Sequence, residues 1–331
     1  MDTSFWFYVA FTAFVLAMLA IDLGIFHRKA HVVRAKEAGA WVAVWMTLAL
    51  TFTLTLLVWK GAESALLFAT GYLIEQSLSI DNIFVIVMIF SYFRIPGKYQ
   101  HRVLFWGIIG ALLMRGLFIG MGALLIKRFG WIIYVFGAFL IFTGVKMALR
   151  QDEGFDAEQN VMMRTARRFL RVTREYHGQR FFTIQDGRRY ATPLFLVLLL
   201  IEFTDLVFAV DSIPAIFAVT TNPFLVYTSN VFAILGLRSM YFLLAGIVHQ
   251  FAYLKYGLAL ILVFVGFKMV LVDMVRIPIL ASLGVIAVTL TLSIIASLFY
   301  PPKLKSIIDE TQGKTGSIFG SVPQPSDERP K

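Results

Sequence analysis

Nine apolar runs separated by short polar stretches organise the chain, at roughly 4–26, 41–59, 65–91, 103–126, 130–149, 192–219, 225–249, 255–275 and 277–299. A helix needs about 20 mostly apolar residues to cross a bilayer, because the hydrocarbon core is about 30 Å thick. The pattern predicts an all-α membrane protein with about nine transmembrane helices. Only a short turn around Asp273, Arg276 and Pro278 separates the last two runs. Residues 4–26 have neither the basic start nor the small-residue cleavage site of a signal peptide, so they read as a retained first helix.

The polar segments fix the organisation. Residues 1–150 hold spans one to five, 151–191 form a basic loop, 192–300 hold spans six to nine, and 301–331 form a tail rich in Pro, Ser, Gly and charge that reads as disordered. Within the loop, Val161, Met162, Ala166, Phe169 and Leu170 recur at helical spacing among Arg164, Arg167, Arg168, Arg171 and Arg174. A basic amphipathic helix of this kind over 161–174 suits an anionic lipid surface. Phe181–Ile184 and Arg188–Thr192, joined through Gln185, Asp186 and Gly187, predict a small hairpin.

Composition agrees with a chain dissolved in lipid. Of the 331 residues, 59% are apolar and only 15% charged, with a mean hydropathy of +0.77; a soluble domain carries about 25% charged residues. A soluble enzyme is thereby excluded. The absence of cysteine removes disulfides, thiolate metal sites and a Cys nucleophile. The net charge of +10 is mostly topology. Lys and Arg collect after spans one, three, five and seven and in the tail, and cytoplasmic loops retain positive charge. The N-terminus is therefore expected outside, in the periplasm of a bacterial cell, and the C-terminus in the cytoplasm. Nothing suggests a nucleic-acid partner.

An internal repeat is visible through its charges. Glu75, Asp81, Asn82 and Ile83 of span three match Asp205, Asp211, Ser212 and Ile213 of span six at identical spacing. Arg115 in span four answers Arg238 in span seven. The stretch from Phe142 to Met147 in span five answers that from Phe264 to Met269 in span eight. A unit of three helices forces its second copy to enter from the opposite side. The expected architecture is thus an inverted three-plus-three repeat, spans 3–5 and 6–8, with a substrate site at the repeat interface.

Five carboxylates sit within the spans: Glu75, Asp81, Glu202, Asp205 and Asp211, with Asp22 toward one end of span one. Each costs about 2.5–3.5 kcal/mol near the bilayer centre, and Arg115 and Arg238 can offset two of them. The excess of acid makes a well for a cation. On an unbroken helix Glu75 and Asp81 lie about 120° apart and about 9 Å along the axis, as do Asp205 and Asp211. Convergence on one ion is therefore expected to require unwinding near Ser77 and Ser79 in one copy and near Pro214 in the other. Asn82 and Ser212 would add neutral oxygens. An all-oxygen donor set favours hard cations, Mn²⁺, Mg²⁺ or Ca²⁺.

Plainer readings stand beside these. The acids could form purely structural ion pairs with Arg115 and Arg238, which read as counter-charges holding the site together. Glu202 reads equally as ligand or as partner of Asp205, three residues away on one helix face. Asp22 reads equally as an access-path acid or an interfacial residue. Lys146 reads as snorkelling to the interface, and Gly116-x-x-x-Gly120 as close helix packing.

The segments 71–82 (GYLIEQSLSIDN) and 202–215 (EFTDLVFAVDSIPA) resemble the two signature segments of the TerC family of integral membrane proteins. Residues 136–147, 218–224 and 229–238 extend the resemblance, over about 5–300, toward its Alx-like branch. The resemblance implies Mn²⁺ export across the bacterial inner membrane, within the superfamily that includes the lysine exporters. The family's name derives from tellurium-resistance gene clusters. The resemblance also carries the family's intramembrane acids onto Glu75, Asp81, Glu202, Asp205 and Asp211, with Asn82 beside the first pair.

The combined expectation is a secondary transporter, not an enzyme, that exports Mn²⁺ by alternating access. Mn²⁺ is its substrate, no organic cofactor is involved, and proton antiport is a plausible coupling. No Walker motif points to ATP. The alternatives are a membrane-protein assembly or interaction factor, with the arginine-rich loop docking a partner, and an exporter of another hard cation such as Ca²⁺.

Overall fold

The computed structural model describes residues 5–21, 35–149, 161–173, 176–185, 187–247, 253–275 and 277–299. The N-terminal cap, Asp22, His249, residues 151–160 and the tail after 299 lie outside them. The described residues form ten helices and one hairpin: α1 (Phe5–Ile21), α2 (Ala35–Lys60), α3 (Ala62–Tyr92), α4 (Gly97–Arg128), α5 (Ile132–Leu149), α6 (Val161–Phe169), β1 (Phe182–Gln185), β2 (Arg188–Ala191), α7 (Pro193–Phe217), α8 (Pro223–Leu244), α9 (Leu254–Val270) and α10 (Ile279–Phe299). This is an all-helical membrane protein. Six helices, α2, α3, α4, α5, α7 and α10, are long and apolar enough to cross a bilayer.

Each of the nine apolar runs contains one long helix. Two of them, α1 and α9, are shorter than expected at 17 residues each. The helix α8 carries Thr228, Ser229, Asn230, Arg238 and Ser239, all buried, so its polar groups face protein. Local chemistry sets the boundaries. Pro193 and Pro223 open α7 and α8 in the first turn, where a missing N–H costs nothing. The Asn222 side chain accepts from the Phe224 amide at 3.0 Å, a conventional N-cap.

The bundle centre is made by α3, α4, α7 and α8, with α3 packed on α7 and α8, and α4 on the same two. One core cluster joins Ile83, Ile86 and Phe90 of α3 to Val103 and Leu104 of α4, Leu194, Val197 and Leu200 of α7 and Met240 of α8. The C-terminal halves of α3 and α8 therefore share one end of the bundle with the N-terminal halves of α4 and α7. Outside this core, α2 covers α3 and α8, and α10 covers α9 and α3.

The closest crossing is between α5 and α9. A methyl on Gly266 would sit 2.7 Å from the Gly137 carbonyl oxygen, and one on Gly144 would sit 2.8 Å from that of Ala259. These glycines let two backbones meet, as small residues do in lipid. The expected packing motif at Gly116 and Gly120 is different: Gly116 has only Tyr227 nearby, and nothing lies within 4 Å of a methyl on Gly120. Gly116 thus leaves ordinary contact distance to α8 and Gly120 is exposed, so the tight crossing lies elsewhere.

The insert docks on the bundle. Met163 of α6 is 3% exposed and joins the core cluster that contains Leu194 and Val197. The apolar side of α6 thus meets protein at Met163, while Arg164 and Arg168 stay exposed. The hairpin forms in the register Phe182 opposite Ala191 and Gln185 opposite Arg188, with Gly187 at φ +70° in the left-handed region that glycine tolerates. Thr192 Oγ1 donates to the Arg180 carbonyl at 2.7 Å, and Tyr176 Oη donates to the Phe93 carbonyl at 2.6 Å. Burial pushes the Tyr176 phenol above its ordinary pKa.

Substituting Gly266→Ala is expected to cost about 1–3 kcal/mol by forcing α5 and α9 apart, whereas Gly120→Ala leaves stability unchanged. Thermal unfolding of the two purified variants in detergent checks the contrast.

Candidate functional site

The centre of the site is Arg115, midway along α4 and 2% exposed. Its Nη2 donates to Asp205 Oδ1 at 2.8 Å and its Nε donates to Asp205 Oδ2 at 3.3 Å. This is the two-pronged geometry that suits a guanidinium and a carboxylate. Its Nη1 meets Glu75 Oε1 and lies 3.5 Å from Ser212 Oγ. One arginine from α4 therefore ties α3 to α7 through two buried acids. Glu75 is 0% exposed and Asp205 8%, so both depend on the protein for most of their compensation.

A cavity of about 10 Å³ opens beside this bridge, lined by Glu75, Asp81, Asn82, Arg115, Asp211 and Ser212, with Leu78, Met147, Phe208 and Leu262 as its apolar walls. A second, of about 20 Å³, is lined by Asn82, Thr204, Asp205, Phe208 and Arg238 among apolar side chains of α3, α4, α7 and α8. Asn82 Nδ2 lies 3.5 Å from Asp205 Oδ1, while Asn82 Oδ1 and Glu75 Oε2 are buried without a hydrogen-bond partner among the described residues.

Both acid-bearing helices, α3 and α7, run unbroken through this region. The expected unwinding is absent: Pro214 sits inside α7, which continues to Phe217. The acids face common space for another reason. The two helices pack side by side, so Glu75 and Asp81 on α3 and Asp211 on α7 border one cavity from different sides. Among the described residues no three His, Asp or Glu side chains converge as a ready ligand set.

The remaining candidates are distributed unevenly. Asp211 receives a hydrogen bond from Thr143 of α5 and lies within electrostatic reach of Lys146, which is exposed and 5.9 Å from the Phe142 ring. Glu202 borders neither cavity. Its carboxylate occupies the notch where a side chain on Gly110 would be, and its Oε2 has no hydrogen-bond partner among the described residues. Arg238 is 4% exposed and borders the second cavity with Asp205. Lys268 donates to Ser282 at 2.9 Å, linking α9 to α10. Asp22 lies outside the described residues.

Asn230 escaped the sequence reading. It is 0% exposed, and neither amide atom has a partner among the described residues. Its signal was the polar run Thr228, Ser229 and Asn230 inside an apolar span. Such a group needs an unseen polar partner to offset its burial.

Comparison with known proteins bears on this geometry. Residues 60–305 match the family described as Integral membrane protein TerC family. The chain belongs to the TerC family. The matched region runs from the end of α2 through α10 and so contains both acid helices and Arg115. An uncharacterized membrane protein of Myxococcus xanthus, STKORF319, is 58% identical over 292 residues, 88% of this chain and 91% of that protein. Alx of Escherichia coli K12, whose own assignment as a membrane-bound redox modulator is provisional, is 52% identical over 285 residues, 83% of this chain and 89% of that protein. The Alx of Salmonella typhi is 50% identical over 295 residues, 86% of this chain and 91% of that protein. No solved structure matches the chain.

Removing one partner of a buried ion pair costs about 3–5 kcal/mol because the other charge stays uncompensated. Arg115→Gln is expected to lose that much. Combined with Asp205→Asn it should lose less than the sum of the two single variants, a coupling measurable by thermal unfolding of all three proteins.

Proposed function

We propose that this TerC-family protein is a secondary transporter that exports Mn²⁺ from a bacterial cytoplasm across the inner membrane, with the N-terminus outside. The observation that carries the reading is the shared acidic cavity, in which Glu75, Asp81 and Asp211 from two different helices border one space with the neutral oxygens of Asn82 and Ser212. Carboxylates and amide or hydroxyl oxygens suit a hard divalent ion. The choice of manganese rests on the TerC resemblance and not on this ligand chemistry.

Alternating access between two inverted three-helix units, α3–α5 and α7–α9 within nine membrane-crossing helices, is the mechanism we infer. The packing supports it. Aligning Gly144 with Gly266 also aligns Gly137 with Ala259, and the α5–α9 crossing brings Gly144 against Ala259 and Gly266 against Gly137. Contacts that exchange in this way are what a two-fold relation between the units would produce. The pairings of α3 with α8 and of α4 with α7 exchange likewise. Rocking of one unit against the other about a midplane site would expose the acids to each side in turn.

The chain has no cysteine, so any redox effect linked to it would not pass through a thiol of its own. Mn²⁺ export needs none. Asp81→Asn and Asp211→Asn are each expected to abolish manganese efflux from loaded cells while the protein still reaches the membrane. Unchanged efflux in both variants contradicts the proposal.

A further inference from the structure

The two cavities lie in series. Along α3 the second cavity is bordered by Asn82 and Ile86 and the first by Glu75, Leu78, Asp81 and Asn82. Along α7 the order is Thr204 and Asp205, then Asp211 and Ser212; along α4 it is Leu104 to Ala111, then Arg115. All three helices thus give the same sequence from one bundle end, where Ile86, Leu104 and Leu200 cluster, toward the middle. Only Asn82 and Phe208 border both spaces. The Arg115–Asp205 fork stands where one gives way to the other, because Arg115 borders the inner cavity and Asp205 the outer one.

We propose that Arg115 is a tethered cation that occupies the substrate position when no metal is bound, and that Asp205 is the post to which it withdraws rather than a metal ligand. The inference rests on the transport reading above and assigns roles within that site. The guanidinium meets Glu75 through Nη1 alone but holds Asp205 through two nitrogens. A divalent ion arriving in the inner cavity competes for Glu75, and the single contact there is the one that yields. Asp205 keeps its fork, so the arginine swings aside without leaving its charge unpaired. The unpartnered Oε2 of Glu75 and Oδ1 of Asn82 are then the oxygens that the ion takes up.

Such an occupant also serves the return half of a cycle. An empty cavity with several carboxylates repels its own closure, and an internal cation removes that repulsion without a second ion from solution. Arg115 is then a positioning residue whose loss tightens binding while slowing turnover. This signature separates it from a merely structural role, in which binding and turnover would fall together.

The test is calorimetric titration of MnCl₂ into the purified full-length protein in detergent, with manganese efflux from reconstituted vesicles as the second readout. Removing the competitor in Arg115→Gln should tighten Mn²⁺ binding by about tenfold or more and slow efflux. Asp205→Asn, which removes the charge of the carboxylate that the arginine grips with two nitrogens and leaves it the Glu75 carboxylate, should weaken binding several-fold. The double variant Asp205→Asn with Arg115→Gln leaves the buried net charge unchanged, which preserves folding if the single arginine variant does not insert, and should bind at least as tightly as the wild type. Unchanged or weaker binding in Arg115→Gln, or a double variant as weak as Asp205→Asn, overturns the proposal while leaving the transport reading intact. Absence of Mn²⁺ binding in the wild type and in every variant overturns the transport reading, and this inference with it.

Discussion

The structure turns on one guanidinium shared between two buried carboxylates. In a medium that cannot solvate charge, Glu75 and Asp205 are tolerable only if a cation of fixed geometry reaches both, and Arg115 does so from a third helix. The three helices α3, α4 and α7 are thereby held in register by an interaction that apolar packing could not specify, because Leu, Ile and Val contacts are nearly interchangeable in lipid. The same bridge borders the cavity that further acids line. Asp81 and Asp211 border the same cavity, and Lys146, whose field reaches Asp211, sits at an exposed position. On the transport proposal, stability and cation affinity draw on the same side chains.

Much of the fold was legible because the bilayer demands long apolar helices, and the chain supplies nine such runs. Their ends were blurred where loops are apolar, as in the turn from Leu271 to Met274 that parts α9 from α10. The acidic residues stood out for the complementary reason, that charge inside a span is costly and rarely incidental. What the sequence could not convey was distance between helices. The angular separation of Glu75 and Asp81 suggested a broken helix, yet two intact neighbouring helices present their acids to common space. The partner of Arg115 was equally hidden, since Asp205 is 90 positions away and Arg238 offered the same charge.

The spacing rules failed where they judged a helix face in isolation. Gly116 and Gly120 fit a packing motif, but Gly116 has only an ordinary contact with the Tyr227 ring and Gly120 faces open space, while Gly137, Gly144 and Gly266 carry the tight crossing. Gly110 went unremarked although the Glu202 carboxylate fills its vacant side. Glu202 is consequently wedged between α4 and α7, away from the cavity shared by Asp81 and Asp211. The insert is also anchored to the bundle: with Met163 in the core and Tyr176 bonded to the α3–α4 connection, it couples that end of the bundle to the start of α7, the helix that carries Asp205 and Asp211.

The central claim is that the facing acids of α3 and α7 form one cation site. Crystals of the protein grown with MnCl₂ and measured at the manganese absorption edge address it directly. The account predicts an anomalous peak between the two helices within coordination distance of Glu75, Asp81 and Asp211. Manganese found only at the protein surface, with the cavity unlit and Arg115 still against both acids, would contradict it.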